Sequence, residues 1–412
     1  MKYGCIGEHL KHSFSKEIHG LIADYDYIIK EIPKDGVDAF MKERDFLAIN
    51  VTIPYKETVI PYLSYIDEGA RLIGAVNTIV NRGGELFGYN TDFYGMSMLA
   101  RHAGISFEGR KVLILGTGGT SKTAKAVATA NGASEVVVAS RSEKNGAVLY
   151  TDVYKYHTDS EIIINTTPVG MFPNILDKPI ELKKFPKLIG VLDAIYNPQR
   201  TPLILEARSL GIPAEGGLYM LVAQGVRASE IFLDTKYDSS LLDNVFEKIE
   251  KDKQNIVLIG MPASGKSTVG AILSKKLMRE LLDTDTIAQS LAGRKISAIF
   301  EEDGEAAFRD IETLAVYEAA KKTPAIIATG GGAILRPENL SALRENGRIY
   351  FIDRPLRALI PTADRPTAST EEAIKRRYNE RIDIYRASAD AIIDADADAD
   401  TVAERILADF FG

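Results

Sequence analysis

Cysteine is nearly missing from this 412-residue chain, occurring once, as Cys5. One thiol cannot close an intrachain disulfide, so a disulfide-stapled scaffold is excluded and a reducing compartment suits the chain. Cys5 lies in the run YGCIG, where it is expected to be a small buried hydrophobe rather than a reactive thiol. No apolar run reaches the 18 or so residues that a membrane span requires. The opening MKYGCIGEHLKHSFS lacks the basic-then-apolar layout of a secretory leader, so the expected location is cytoplasmic. Positive charge is not in excess: the net charge is −7 and the pI about 5.5. That disfavours a nucleic-acid or anionic-membrane partner and leaves small-molecule ligands. What is present is 45% hydrophobic residues over a length that suits two or three domains.

Short apolar runs alternate with amphipathic ones along the whole chain, the pattern of an α/β protein. Up to about residue 95, YGCIG, YIIKEI, FLAINVT and AVNTIV read as strands, and NRGGELFGYN as a glycine turn into another. From 96 to 217, KVLILG, EVVVASR, EIIINTTP and LIGVLDAIY read as buried strands of a parallel sheet covered on both faces. GGLYMLVAQGVRASEIFL then gives a long helix. A charged stretch over 241–254 reads as a linker. IVLIG opens a further sheet, with LLDTD, PAIIATG, GRIYFID and ADAIID as its other strands. The aspartate-rich run Asp394–Asp400 reads as a solvated turn that caps a helix at Asp400 or Thr401.

Two glycine-rich turns carry the chemistry. In GMPASGKST, Gly260, Ala263, Ser264, Gly265, Lys266, Ser267 and Thr268 follow a strand and open a helix. Glycines let successive N–H groups face an anion, the lysine reaches the terminal phosphates of a nucleotide, and the hydroxyl of Ser267 suits Mg²⁺. Downstream lie Asp283 and Asp285 at a strand end, Arg309 on a helix, and Gly330, Gly331 and Gly332 after a buried strand. This set resembles the shikimate kinases over roughly 255–412, which implies a P-loop fold of the nucleoside-monophosphate-kinase type using ATP. By that resemblance Asp285, Arg309, Gly330 to Gly332 and Arg381 hold shikimate, with Asp285 as a base. Lys266 is then catalytic, Asp283 joins Ser267 at Mg²⁺, and Arg365 is the lid arginine. The lid departs from the family: DRPTA stands where Arg-Pro-Leu-Leu is usual, and the segment before it is short.

The second turn is GTGGTS, with Gly116, Thr117, Gly118 and Gly119 between strand and helix. An acidic residue at the end of the next strand would suit NAD. Here stand Ser140, Arg141 and Ser142, and a guanidinium flanked by hydroxyls suits the 2′-phosphate of NADP(H). The first block adds Ser13 and Ser15 in KHSFSK, NVTIPYK with Thr52 and Lys56, Asn77, and Asn90 and Asp92 in GYNTD. These strings resemble the shikimate dehydrogenases over roughly 1–235, together with NTTPVGM (Asn165, Thr166) and GLYMLVAQ (Met220, Gln224). The resemblance implies a catalytic domain of 1–95 plus 218–240 around a Rossmann NADP domain of 96–217, followed by the kinase domain of 255–412. By it Ser13, Ser15, Thr52, Asn77, Asn90, Tyr196 and Gln224 hold the substrate, and Lys56 and Asp92 form the catalytic pair. Gly116 to Gly119, Asn165, Thr166 and Met220 would line the cofactor. A lysine ammonium can stabilise the alkoxide left by hydride addition and deliver its proton.

The two resemblances imply consecutive reactions on one chain: 3-dehydroshikimate to shikimate, then shikimate to shikimate 3-phosphate. The alternative is a quinate/shikimate-type dehydrogenase fused to a weakly active or regulatory kinase-like domain. Oligomeric state is not written in these motifs.

Overall fold

The structure is a computed structural model that describes residues 1–8, 10, 14–143, 146–359 and 370–412. Contacts divide it into two compact units, residues 1–171 with 177–250, and 251–412 with 172–176. The first unit holds two six-stranded sheets and the second a five-stranded one. Among the described residues no helix is long and apolar enough to cross a membrane.

The first sheet contains β1 (Tyr3–Gly7), β2 (Tyr27–Glu31), β3 (Ala48–Val51), β4 (Tyr65–Ile66), β5 (Thr78–Arg82) and β6 (Glu85–Tyr89), in the order β2-β1-β3-β5-β6-β4. β1 runs parallel to β2 and β3, whereas β5 is antiparallel to both β3 and β6. The hairpin β5–β6 turns on Gly83 and Gly84 with φ of 63° and 95°. Two successive positive φ values favour glycine, and they match the twist of the flanking strands.

The second sheet is all parallel: β7 (Lys111–Leu115), β8 (Glu135–Ser140), β9 (Val148–Leu149), β10 (Ile162–Asn165), β11 (Gly190–Asp193) and β12 (Ala214–Glu215), ordered β12-β11-β10-β7-β8-β9. The chain reverses direction across the sheet between β7 and β10, which places a crevice beyond their carboxyl ends. Val112 to Leu115 and Ile162 to Ile164 are fully buried, as unbroken apolar strands must be when helices cover both faces.

The third sheet, also parallel, is β13 (Asn255–Ile259), β14 (Glu280–Asp283), β15 (Ala325–Ala328), β16 (Gly347–Asp353) and β17 (Ala391–Asp394), ordered β14-β15-β13-β16-β17. Its central strand β13 leads into the lysine-bearing loop, and β15 beside it leads into Gly330.

Two expectations are corrected. The stretch read as a linker is a helix, Ser240–Lys253, whose Leu242, Val245, Phe246 and Ile249 are buried in the core of the first unit. Their spacing is one apolar stripe of a helix, hidden in the sequence by the charges between them. The Phe246 ring meets Tyr219 and His102 edge-on at 5.0 and 5.3 Å, and Tyr219 donates to Asp243 at 2.7 Å. Further on, the last helix (Ala399–Phe411) is capped by Asp398, not by Asp400 or Thr401. The Asp398 carboxylate accepts from the Thr401 N–H and hydroxyl, the reach of a cap three positions earlier.

Truncating Phe246 to alanine is expected to cost the first unit about 3–4 kcal/mol, the usual loss for a buried phenylalanine. Urea unfolding checks it; an unchanged midpoint would mean the helix is a passive tether.

Candidate active sites

In the first unit an open cleft is lined by Cys5, Ser15, His19, Asn50, Thr52, Lys56, Asn77, Thr91 and Gln224, among others. Five of the expected substrate or catalytic residues, Ser15, Thr52, Lys56, Asn77 and Gln224, therefore share one surface. The strand ends explain why. Parallel pairing of β1 with β3 sets Cys5 beside Asn50, antiparallel pairing of β3 with β5 sets Asn50 beside Thr78, and Lys56 follows β3 through a short turn. Asp92, first residue of the helix Asp92–His102, lies 2.6 Å from Lys56 Nζ through Oδ2. Its other oxygen accepts from Asn77 Nδ2 at 3.0 Å, and the Asn77 side-chain Oδ1 accepts from Thr91 N–H at 2.8 Å. Asn90 stands one step back: its side chain accepts from Asp92 N–H and donates to the Ala75 carbonyl, 2.8 Å each, fixing the turn that presents Asp92.

Among the polar lining residues, His19 and Thr91 escaped the sequence reading. His19 is buried, stacks on Tyr27 at 3.9 Å, and bonds Tyr25 through Nδ1 at 2.6 Å. Burial lowers its pKa to about 3, so the ring is neutral. Tyr27 in turn donates to Asn50 Oδ1 at 2.7 Å. Period-four spacing from Ser15 placed His19 on the same helix face, and that was the available signal. Thr91 is the second, concealed in GYNTD between two expected residues. Cys5 behaves as expected, a buried thiol whose pKa is pushed up to about 12 by desolvation. Tyr196 lies outside this lining, edge-on to Phe14 at 5.2 Å, and Ser13 lies outside the described residues.

At the crevice of the second sheet, Gly116 has φ of 105°, and a Cβ there would meet Thr166 Oγ1 at 2.9 Å. Gly118 and Gly119 face open space at the N-terminus of the helix Gly119–Ala130, which no side chain caps. Uncapped N–H groups beside open space are what a pyrophosphate needs, so the turn fits a dinucleotide. Thr117 lies within it. At the end of β8, Ser140 accepts from the Ser142 N–H, and Arg141 is exposed beside them. Asn165 and Thr166 serve the loop from behind. Thr166 donates to the Leu115 carbonyl at 2.6 Å, and Asn165 donates to Asp193 at 3.0 Å. Asp193 also accepts from Ile195 N–H and the Thr201 hydroxyl. Met220 is packed in the core against Gly95, where a Cβ would lie 3.1 Å from its Cγ.

In the second unit, Gly260, Ala263 and Gly265 have φ of 151°, 63° and 94°, which bends the loop into a cradle ahead of the helix Lys266–Leu277. Lys266 is buried and donates to the Gly260 and Met261 carbonyls at 2.9 Å each. Ser264 Oγ is buried with no hydrogen-bond partner, an orphaned donor inside the cradle. Ser267 donates to Asp283 Oδ2 at 2.8 Å, and Thr268 is exposed beside it. Asp283 also caps the helix Thr284–Ala292, accepting from Asp285 and Thr286. The cradle thus fits a nucleotide phosphate, and the hydroxyl–carboxylate pair fits a hard cation.

Beside it, the Gly330–Gly332 turn is hemmed in by charge. A Cβ at Gly330 would lie 2.4 Å from Asp285 and 2.7 Å from Glu312, and one at Gly332 would fall on the Arg309 guanidinium. Only glycine admits these side chains so close to backbone. Arg309 pairs with Glu312 at 2.6 Å and Glu305 at 2.8 Å, yet is only 12% exposed, so this is no wet surface pair. Arg381 donates to the Gly331 carbonyl at 3.1 Å. Glu312 was missed by sequence reasoning; its position three after Arg309 on a helix was the clue. Burial raises its carboxyl pKa. Arg365 lies outside the described residues.

Two family models match the chain: the shikimate dehydrogenase substrate binding domain over residues 5–79, and shikimate kinase over 262–410. A shikimate dehydrogenase (NADP(+)) of Clostridium perfringens strain SM101 is 34% identical over 266 residues, covering 60% of this chain and 98% of the relative. That of Caldicellulosiruptor saccharolyticus is 36% identical, covering 60% and 97%. Among solved structures, shikimate dehydrogenase 1 of Peptoclostridium difficile is 36% identical with a TM-score of 0.55, covering 60% of this chain and 98% of its own. The shikimate 5-dehydrogenase of Thermus thermophilus, solved with NADP(H) and shikimate, is 26% identical with a TM-score of 0.55, covering 60% and 99%.

The Asp193 network yields a pH signature. Burial pushes the Asp193 carboxyl up to about 6 from an ordinary 3.8. A carboxyl raised in the folded state lends stability that is whole below about pH 4 and lost as pH climbs through 6. Asp193→Asn has nothing to titrate, so its stability relative to the parent is expected to improve by about 2 kcal/mol from pH 4 to 7. Urea unfolding across that range measures it; a constant difference would contradict the buried carboxyl.

Proposed function

We infer the function from one premise: the chain belongs to the shikimate dehydrogenase family, and a shikimate kinase domain follows in the same polypeptide. It is a bifunctional shikimate-pathway enzyme, an NADP-dependent dehydrogenase joined to an ATP- and Mg²⁺-dependent kinase. Its reactions are the reduction of 3-dehydroshikimate to shikimate and the phosphorylation of shikimate to shikimate 3-phosphate. The observation that carries the reading is the Lys56–Asp92 pair at 2.6 Å, inside a cleft lined by hydroxyls and amides.

NADPH, when bound, supplies the hydride that goes to the carbonyl carbon. As that C–H bond forms, the carbonyl oxygen gains negative charge. The Lys56 ammonium stabilises it and passes its proton to that oxygen, leaving an alcohol and a neutral amine. Asp92 holds Lys56 in place, and Asn77 and Asn90 hold Asp92. Ser15, Thr52, Asn77 and Gln224 would position the ring hydroxyls and carboxylate, with Ser13 joining them in the resembled arrangement. Gly116 to Gly119, Asn165 and Thr166 would hold the dinucleotide, with Arg141, Ser140 and Ser142 around its 2′-phosphate. Tyr196 and Met220 would act at the margin, since neither lines the cleft.

In the kinase, ATP supplies the phosphoryl group and Mg²⁺ offsets its charge. The loop from Gly260 to Thr268 would cradle the phosphates. Lys266 would turn from its own carbonyls to the ligand, and Ser267 with Asp283 would hold the cation. Arg309 and Arg381 match the substrate carboxylate, and Asp285 accepts the proton of the attacking hydroxyl. Arg365 would close over the transferring group. A cytoplasmic location belongs to the same proposal and accords with the single protonated thiol.

Purified chain given 3-dehydroshikimate, NADPH, ATP and Mg²⁺ is expected to release shikimate 3-phosphate. Lys56→Ala should lose at least about 10²-fold in reduction and none in phosphorylation. Lys266→Ala should stop at shikimate. Failure of the parent to consume either nucleotide would refute the reading. Arg141→Ala is expected to raise KM for NADPH by about tenfold or more and to leave KM for NADH unchanged. Equal changes for both nucleotides would remove the 2′-phosphate role.

A further inference from the structure

The helix Glu371–Ser388 carries a second arginine one turn before Arg381. Arg377 lies at i−4 from Arg381, so both project from one face. Its Nε is buried and has no hydrogen-bond partner. The charges that act on it most are Arg381, Glu305, Arg376 and Arg309. Burial lowers its pKa first, and the neighbouring guanidiniums lower it further. Arg309 and Glu312 form a close pair, with Glu305 on the other side of the guanidinium. Burial raises the Glu312 carboxyl pKa and Arg309 opposes that shift, while Asp285 stands against Gly330. Arg309, Arg377 and Arg381 thus stand within electrostatic reach of one another beside the Gly330–Gly332 turn. An unpartnered, partly desolvated donor among like charges is costly alone and favourable once an anion arrives.

We propose that Arg377 is a third arginine of the kinase substrate site and determines specificity by binding the carboxylate of the cyclic acid together with Arg309 and Arg381. This rests on the kinase reading above. Its placement among the arginines that flank the Gly330–Gly332 turn, rather than in the phosphate cradle, selects the carboxylate over the transferring phosphoryl group. A planar fork with free N–H groups suits a carboxylate edge-on, which a lysine at this position would not reproduce.

Steady-state kinetics of the full chain test it, with shikimate and its methyl ester as paired substrates. Arg377→Gln is expected to raise KM for shikimate about tenfold, the worth of one charge-assisted hydrogen bond. KM for the ester, kcat and KM for ATP should stay within twofold, and reduction of 3-dehydroshikimate should be unaffected. Arg377→Lys should recover only part of the loss. Equal rises for acid and ester would make Arg377 a merely structural residue. A fall in kcat with KM unmoved would place it at the phosphoryl group, and no change at all would overturn the proposal outright. A parent chain that phosphorylates neither substrate would instead overturn the kinase reading, which separates the two failures.

Discussion

A parallel strand that runs straight into a helix leaves the first N–H groups of that helix without partners. Both turns that we propose to hold nucleotides are built on that one deficit. β7 runs into the helix at Gly119, and β13 into the helix at Lys266. Each lies at the point where strand order reverses, so a crevice opens just where the donors are exposed. Positive φ at Gly116 in one loop, and at Gly260, Ala263 and Gly265 in the other, turns the backbone toward that crevice. The two loops differ in what fills them before a ligand does. The first leaves open space over Gly118 and Gly119, while the second folds Lys266 back on its own carbonyls.

Substrate recognition follows a different logic in each unit. The proposed reducing site is neutral around the Lys56–Asp92 pair: amides and hydroxyls line the cleft, and the neutral His19 ring sits at its wall. A network of that kind can orient a ligand's hydroxyls, and it holds Lys56 in place through Asp92. The phosphorylating site is charge-dense. Arginines stand over glycines whose missing side chains let them approach, and carboxylates partly neutralise them. In the proposed reading, a shared cyclic acid is met by hydrogen-bond geometry in one place and by charge in the other.

The core of the first unit also ties its two sheets together. The helices Asp92–His102 and Leu218–Leu233 pack in one cluster with Val112, Ile114 and Leu192 of the second sheet. Asp92 and Gln224 are carried on those two helices, so the proposed catalytic pair and the strands of the proposed cofactor crevice share one packed body. The helix Ser240–Lys253 adds its apolar stripe to that body.

Much of this was legible in the chain itself, because local chemistry requires particular residues. Glycines at Gly116 and Gly265 need φ values that side chains resist, unbroken apolar runs need a covered parallel sheet, and Arg141 after β8 needs no partner to be read. What lay hidden depended on distance along the chain. Nothing local says that Asn77 holds Asp92, that His19 reaches the cleft wall, or that Glu312 presses on Gly330. Ser240–Lys253 read as a tether because its charges outnumber its four buried residues, and only a surface to bury them against makes the stripe a helix. Sequence alone decides which groups can do chemistry; packing decides which of them meet, since contacts between remote residues are set by the core and not by the neighbours in the chain.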